Sequence, residues 1–349
     1  MSSVTLSASK QQAAEWLQRG QAFEGDGSPD LLAQALVCYD QVVAMLRALP
    51  LEEVRRELGI AHMNRGNVLR KQARQADAVA AYDAGIACLQ PLAAGDHAAG
   101  NSLGAAWMNR GHALQSSGAA TALADALRSH DEAIRVLQVL PLEENPAYRF
   151  NLTGSWLNRA QALLASQPPD FPAARASLTT ALSLTAGIER EHPVAAELSL
   201  KARHALCHVL SRQPANNPAA LITETGDEID AALELARHWE GRQVRHFRPL
   251  FFSLYRFGAQ YYLAHQPQFL GEFLLESLDP ELSAGAVPDA AELHAIAAEA
   301  LARAQADNFN RRLAHPTGSE AGRLQEIARS LQEAEARRAA LQQAHVRSA

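Results

Sequence analysis

Five arginines recur along the chain at nearly even spacing. Arg19, Arg65, Arg110, Arg159 and Arg203 are separated by 46, 45, 49 and 44 residues. Cations repeated along one side of a molecule can grip an extended acidic ligand. They can also pair inside the protein. Asp40, Asp83 and Asp131 stand at matching places for that, with Thr179 at the fourth. We adopt the pairing reading, a buried-stem arginine bonded within its own repeat, because such pairs set geometry. His204 and His208, four apart on a helix with Cys207 between them, have a spacing that can share a metal. Nothing nearby in sequence completes that site, so no metal and no cofactor is expected. Arg237, His238, Arg242, Arg245, His246 and Arg248 form a basic run beside aromatic residues. Such a run can hold single-stranded nucleic acid by charge and stacking, hold an acidic partner, or lie as a solvated loop. The chain has no Gly-rich phosphate loop, no His-Glu-x-x-His, no Gly-x-Ser-x-Gly and no Cys-x-x-Cys.

The residues around each arginine repeat with it. Three before it stand Trp16, His62, Trp107, Trp156 and Leu200. One after it stand Gly20, Gly66, Gly111, Ala160 and His204. Four after it stand Phe23, Leu69, Leu114, Leu163 and Cys207. These offsets share one side of a 3.6-residue helix. The small residue leaves room for another backbone to approach. Gly, Pro and Ser then mark turns at 25–29, 116–118 and 166–169, with a further turn at 73–75. A second helix follows, on which Ala35, Tyr39, Val42; Ala78, Tyr82, Gly85; Ala126, His130, Ala133; and Ala174, Leu178, Ala181 share a face. Pro50, Pro91 and Pro141 stand near the ends of these helices. A period of this size marks stacked helical hairpins, none of which buries its apolar face alone.

This order of Trp, Gly, Leu, turn, Ala, Tyr, Ala and Pro resembles the tetratricopeptide repeat family over about residues 12–210. The unit here is about ten residues longer than the 34 typical of that family; the extra length lies in linkers such as 51–60, which lengthen the first helix. The resemblance implies an all-α, right-handed superhelical array of hairpins with a concave groove that binds a protein or peptide segment. Some members grip a peptide's C-terminal carboxylate with lysine and asparagine in this groove. Here Leu17, Met63, Met108 and Leu157 stand two residues before the arginine, and they cannot supply that clamp.

The face expected to line the groove sits at offsets −5, −2, +2 and +5. It offers Met63, Asn67, Arg70, Met108, His112, Gln115, Leu157, Gln161, Lys201 and His208, a mixed apolar and amide surface with adaptable methionines. Residues 1–240 are expected to form the array of about five hairpins, the fifth with a Pro-rich turn at 214–218. Residues 241–349 are expected to form a C-terminal helical region. Nine of the sixteen Phe and Tyr residues fall between Phe247 and Phe273, in a long helix over about 244–265. A Pro- and Gly-rich loop over 279–289, an Ala-rich helix over 288–307 and a charged helix over 320–346 follow. The last is expected to cap the stack.

Apolar residues make up 48%, and the net charge is −6. Nothing global provides the basic footprint of a nucleic-acid binder. No stretch approaches the roughly 20 apolar residues that cross a bilayer, and Met1 to Gln12 lacks the apolar core of a secretory signal. Three scattered cysteines fit a reducing cytoplasm. The expected function is a non-enzymatic, cytoplasmic binding scaffold. A ligand-responsive regulatory sensor is the alternative, an enzyme assembled from scattered residues is the third reading, and a homo-oligomer stays open.

Overall fold

The computed structural model describes residues 3–117, 122–214, 217–240 and 247–266. All regular structure among them is helical. The helices are α1 (Ser3–Asp26), α2 (Pro29–Arg47), α3 (Leu51–Lys71), α4 (Gln75–Leu89), α5 (His97–Ser116), α6 (Ala122–Leu137), α7 (Pro146–Ala165), α8 (Phe171–Thr185), α9 (Pro193–Arg212), α10 (Pro218–Glu240) and α11 (Arg248–His265). None is long and apolar enough to cross a membrane. The chain divides into two compact units, Met1–Ala205 and Leu206–Ala349. The composition change near residue 240 therefore falls inside the second unit. The helices expected over 288–307 and 320–346, and the loop over 279–289, lie outside the described residues.

The first unit is built of hairpins: α1 with α2, α3 with α4, α5 with α6 and α7 with α8. The additional residues of the long repeat sit in the first helices. α3 already begins at Leu51 and runs for 21 residues, whereas α4 has 15. Local chemistry sets the boundaries. Asp96 accepts hydrogen bonds from the backbone N–H of Ala98 and Ala99, and Asn145 accepts one from that of Ala147, with Pro146 in the first turn of α7. Ala73 ends α3 with a φ of 59°, in the left-handed region more often given to glycine.

Within each hairpin, small residues of the first helix receive large residues of the second. A Cβ on Gly20 would lie 2.7 Å from the Tyr39 ring, on Gly66 2.6 Å from Tyr82, and on Gly111 2.5 Å from His130. The small slot therefore accommodates a ring from the same hairpin. The backbone approach expected there occurs elsewhere, at Gly85, whose Cβ would lie 3.1 Å from the Gly59 carbonyl oxygen. A second lock stands seven residues earlier on the first helix and seven later on the second, as an antiparallel pair requires. Gly59 faces Leu89 and Gly104 faces Leu137 there. In the other hairpins Ala13 with Leu46, and Thr153 with Thr185, hold these slots, all buried. Ala160 with Leu178 takes the ring slot of the fourth hairpin, also fully buried.

Between hairpins, first-helix residues at offsets −7, −4 and +3 from the arginine are buried. They are Leu58, Ala61 and Val68; Leu103, Ala106 and Ala113; and Leu152, Ser155 and Ala162. Leu58 and Ala61 join a cluster with Val42 and Leu46 of α2, and Ala113 joins Tyr82 of α4. In α1 the same three slots are Gln12, Glu15 and Ala22, all exposed. In this structure α1 thus leaves these slots to solvent. First helices of successive hairpins also touch one another (α1 with α3, α3 with α5, α5 with α7), while second helices of successive hairpins meet at most marginally.

In the second unit α11 packs on α10. Trp239 stacks on Phe247 with centroids 5.6 Å apart, and the Tyr261 hydroxyl donates to the Ile222 carbonyl. The aromatic segment is thus a packed helix, bounded at 248 and 265.

Candidate partner-binding face

The repeated arginine becomes a joint. Arg65 Nε donates to Asp40 Oδ1 at 2.6 Å, Arg110 Nε to Asp83 Oδ1 at 2.6 Å, and Arg159 Nε to Asp131 Oδ1 at 2.7 Å. The acids are those singled out in the sequence. However, each bond runs to the second helix of the preceding hairpin, so the pairing expected within a repeat joins two repeats instead. Arg110 and Arg159 also donate to Ser129 and Ser177 of their own hairpins, at 2.7 and 2.8 Å, and each tie thus links three helices. Arg110 lies over Trp107 and Arg159 over Trp156, with guanidinium carbons 5.6 and 5.7 Å from the ring centroids. With Thr179 in the acid slot, Arg203 pairs with Glu189 at 3.8 Å. The aspartates are half exposed, so each pair adds little stability in water. Its contribution is to register.

Two histidines stand in slots that other copies of the repeat fill with Trp, Tyr or Leu. His62 fills the Trp slot; burial, then Arg47 and Arg65, lower its pKa to about 4. Fully buried His130 fills the Tyr slot; burial, then His112 and Arg159, lower its pKa to about 3. Both rings are therefore neutral in the fold at pH 7. An ordinary histidine titrates near 6.5, so in acid the unfolded chain takes up protons that the folded one refuses. The stability from the neutral rings is complete above pH 6.5 and is lost as pH falls from 6.5 toward 3. We expect His130→Leu, which copies Leu178 of the fourth hairpin, to remove up to about 1.4 kcal/mol per pH unit of acid sensitivity in this window. Urea unfolding at pH 7, 6 and 5 checks this; an unchanged slope contradicts it.

The residues expected to line a groove divide into three groups. Leu157 is buried, which corrects its assignment to an open face. Met63 and Met108 are half-buried and pack on core clusters at the joints between hairpins. Asn67 accepts from the Tyr82 hydroxyl at 2.9 Å and from Asn109 Nδ2 of α5 at 3.0 Å. Asn151 donates to Asn101 at 2.9 Å, which repeats an amide link between neighbouring first helices. Arg70, His112 and Gln115 are half-buried, and Gln161, Lys201 and His208 are exposed. Lys201 pairs with Glu197 at 2.6 Å, and His208 meets Phe257 of α11 edge-on with centroids 4.5 Å apart. The tyrosine–amide link was not read from the sequence. Its signal was present, since Asn67 follows its arginine by two and Tyr82 fills the ring slot.

A cleft of about 570 Å³ opens on the other side of the same joint, between α4, α5 and α6, with Trp107 and Arg110 among its lining residues. Its charges are matched: Arg128 bonds Asp125, and Arg135 bonds Glu132 at 2.6 Å. Among the described residues no group of three or more His, Cys, Asp or Glu is arranged to hold a metal ion. Of the basic run, 241–246 lie outside the described residues; Arg237 and His238 end α10, and Arg248 begins α11.

No family model matches the chain, and no curated protein matches it in a sequence comparison.

Proposed function

We propose that the first unit is a right-handed superhelical array of tetratricopeptide-like hairpins, and that the chain is a non-enzymatic cytoplasmic scaffold. Its partner is a protein or peptide segment held on the face formed by the first helices. One observation carries this reading. First helices are direct neighbours, stitched by Asn67–Asn109 and Asn101–Asn151, while second helices of successive hairpins barely meet. A stack closed up on one side and open on the other curves toward the closed side. The first helices then line the inner surface, where amides and methionines offer backbone hydrogen bonds and adaptable apolar contact.

Selection of phage-displayed random peptides against the full chain tests this. We expect binders whose affinity falls about tenfold or more on Gln115→Arg or Gln161→Arg, and is unchanged by Val37→Arg on exposed α2. Binders indifferent to both first-helix substitutions contradict the reading.

The sensor reading has one observation in its favour. Phe257 of α11 rests against His208, a residue of the expected groove set. A peptide seated at His208, within the second unit, would compete with Phe257, and small-angle scattering would then register a change in dimensions on peptide addition. A rigid scaffold would show none.

A further inference from the structure

We propose that Arg70 is an anion-binding residue that receives the side-chain carboxylate of an Asp or Glu within the bound segment. The proposal rests on the first-helix face being the binding surface, and it names the chemistry that face selects.

Arg70 lies in the last turn of α3, half-buried, five residues beyond Arg65. Its Nε is buried and has no hydrogen-bond partner. Among the described residues it forms no ion pair, whereas Arg65, Arg110 and Arg159 each hold an aspartate. The nearby acid on this face is already engaged. Glu24 accepts from the Tyr39 hydroxyl at 3.0 Å and pairs with Lys71 at 3.0 Å. The groups beside Arg70 bring no compensating negative charge. Tyr82 is held protonated, its pKa raised to about 12 by burial above all although Arg70, hydrogen-bonded to the phenol, opposes that rise, and its hydroxyl donates to Asn67. His112 is disfavoured as a cation by burial first and by Arg70 second. The site is therefore a partly desolvated guanidinium without a counter-ion, bordered by a tyrosine, an imidazole and an amide.

A charge withdrawn from water without a counter-ion is unfavourable, since a neutral phenol compensates it only in part, and a bound anion removes that penalty. The planar fork of a guanidinium matches a carboxylate through two parallel hydrogen bonds. Met63 stands two turns back along α3 and Met108 on α5, both half-buried, so the same face also offers apolar surface. The occupant is thus a segment that carries an acidic residue together with apolar ones. This differs from a terminal-carboxylate clamp, because the anion is a side chain within the segment.

The test uses the same random-peptide selection on the full chain. Peptides that respond to Gln161→Arg should carry an Asp or Glu at one fixed position. Converting that residue to its amide should weaken binding about tenfold. Selection against Arg70→Glu should enrich Lys or Arg there instead. If that variant loses its helical circular dichroism, the enrichment and the amide comparison on the native chain still decide. Face-dependent binders without an acidic preference, or binders indifferent to the amide change, overturn the role of Arg70 and leave the face intact. An absence of face-dependent binders overturns both.

Discussion

Tyr82→Ala should destabilise the first unit by about 3–5 kcal/mol, the range for deleting a large buried ring. Tyr82 is fully buried, lies against Gly66, and packs with Leu69, Ala78 and Ala81 of its own hairpin and Ala113 of the next. Its removal opens a cavity at both the lock within a hairpin and the joint between hairpins. Tyr82→Phe separates the ring from its hydroxyl. That variant should lose only about 1 kcal/mol, because Asn67 keeps the hydrogen bond from Asn109. Stacked repeats need not unfold in one step. Urea unfolding followed by circular dichroism should therefore be read with hydrogen exchange in α3 to α5, where the loss should concentrate. A loss under 1 kcal/mol for Tyr82→Ala contradicts the lock.

Gly104→Val is the second large effect, of about 3 kcal/mol, by overpacking. A Cβ on Gly104 would lie 2.3 Å from Leu137 Cγ, and Leu137 is fully buried. The clash is with the stem of that side chain, so a rotation of its end does not relieve it. Leu137→Ala in the same chain should restore part of the loss, with a coupling of about 2 kcal/mol in a double-mutant cycle. Gly25, where a Cβ meets nothing within 4 Å, is the control. Gly25→Ala in exposed helix should be neutral or gain up to about 1 kcal/mol. Additive behaviour of the Gly104 and Leu137 changes contradicts the lock.

These two predictions indicate how much of the fold could be read from residues alone. The offsets −3, +1 and +4 identified the first helices, because a 3.6-residue period puts them on one stripe. The role of the small residue was less legible. A glycine in sequence signals close approach without saying what approaches, and a ring from the partner helix fills the gap left at Gly66. The second small slot, at Gly59 and Gly104, required comparison of both helices at once, since a lock seven residues away appears only when they run antiparallel. The acids Asp40, Asp83 and Asp131 were recognised, but spacing within one repeat cannot tell a bond inside it from a bond to the next. Local capping also escaped the pattern. Leu-Pro-Leu-Glu-Glu occurs twice, yet helix begins at Leu51 in one copy and only at Pro146 in the other, where Asn145 caps α7.

The site was harder to read, for a related reason. Offset +2 lies between two neighbours: at Asn67 both Tyr82 of the same hairpin and Asn109 of the next first helix reach the side chain. Leu157 is buried, and Asn67 is committed to Tyr82 and Asn109. The strip around Arg70, His112, Gln115 and Gln161 is what the proposed partner would meet. All four belong to the face expected from the sequence, where spacing alone does not separate them from Leu157 and Asn67, which are engaged inside the protein.

The proposed binding face depends most on first helices lying side by side. Thiol cross-linking measures that directly, in a chain whose Cys38, Cys88 and Cys207 are replaced by alanine. Cysteine pairs at 67 and 109, and at 101 and 151, occupy positions whose native amides hydrogen-bond at 3.0 and 2.9 Å, within reach of a short bifunctional thiol reagent but not set for a direct disulfide. Both pairs should close with that reagent with helical content unchanged, while cysteines on exposed positions of α4 and α6 remain unlinked. Failure of both first-helix pairs to close in a folded chain, or ready closure of the α4–α6 pair, would contradict the arrangement on which the binding face rests.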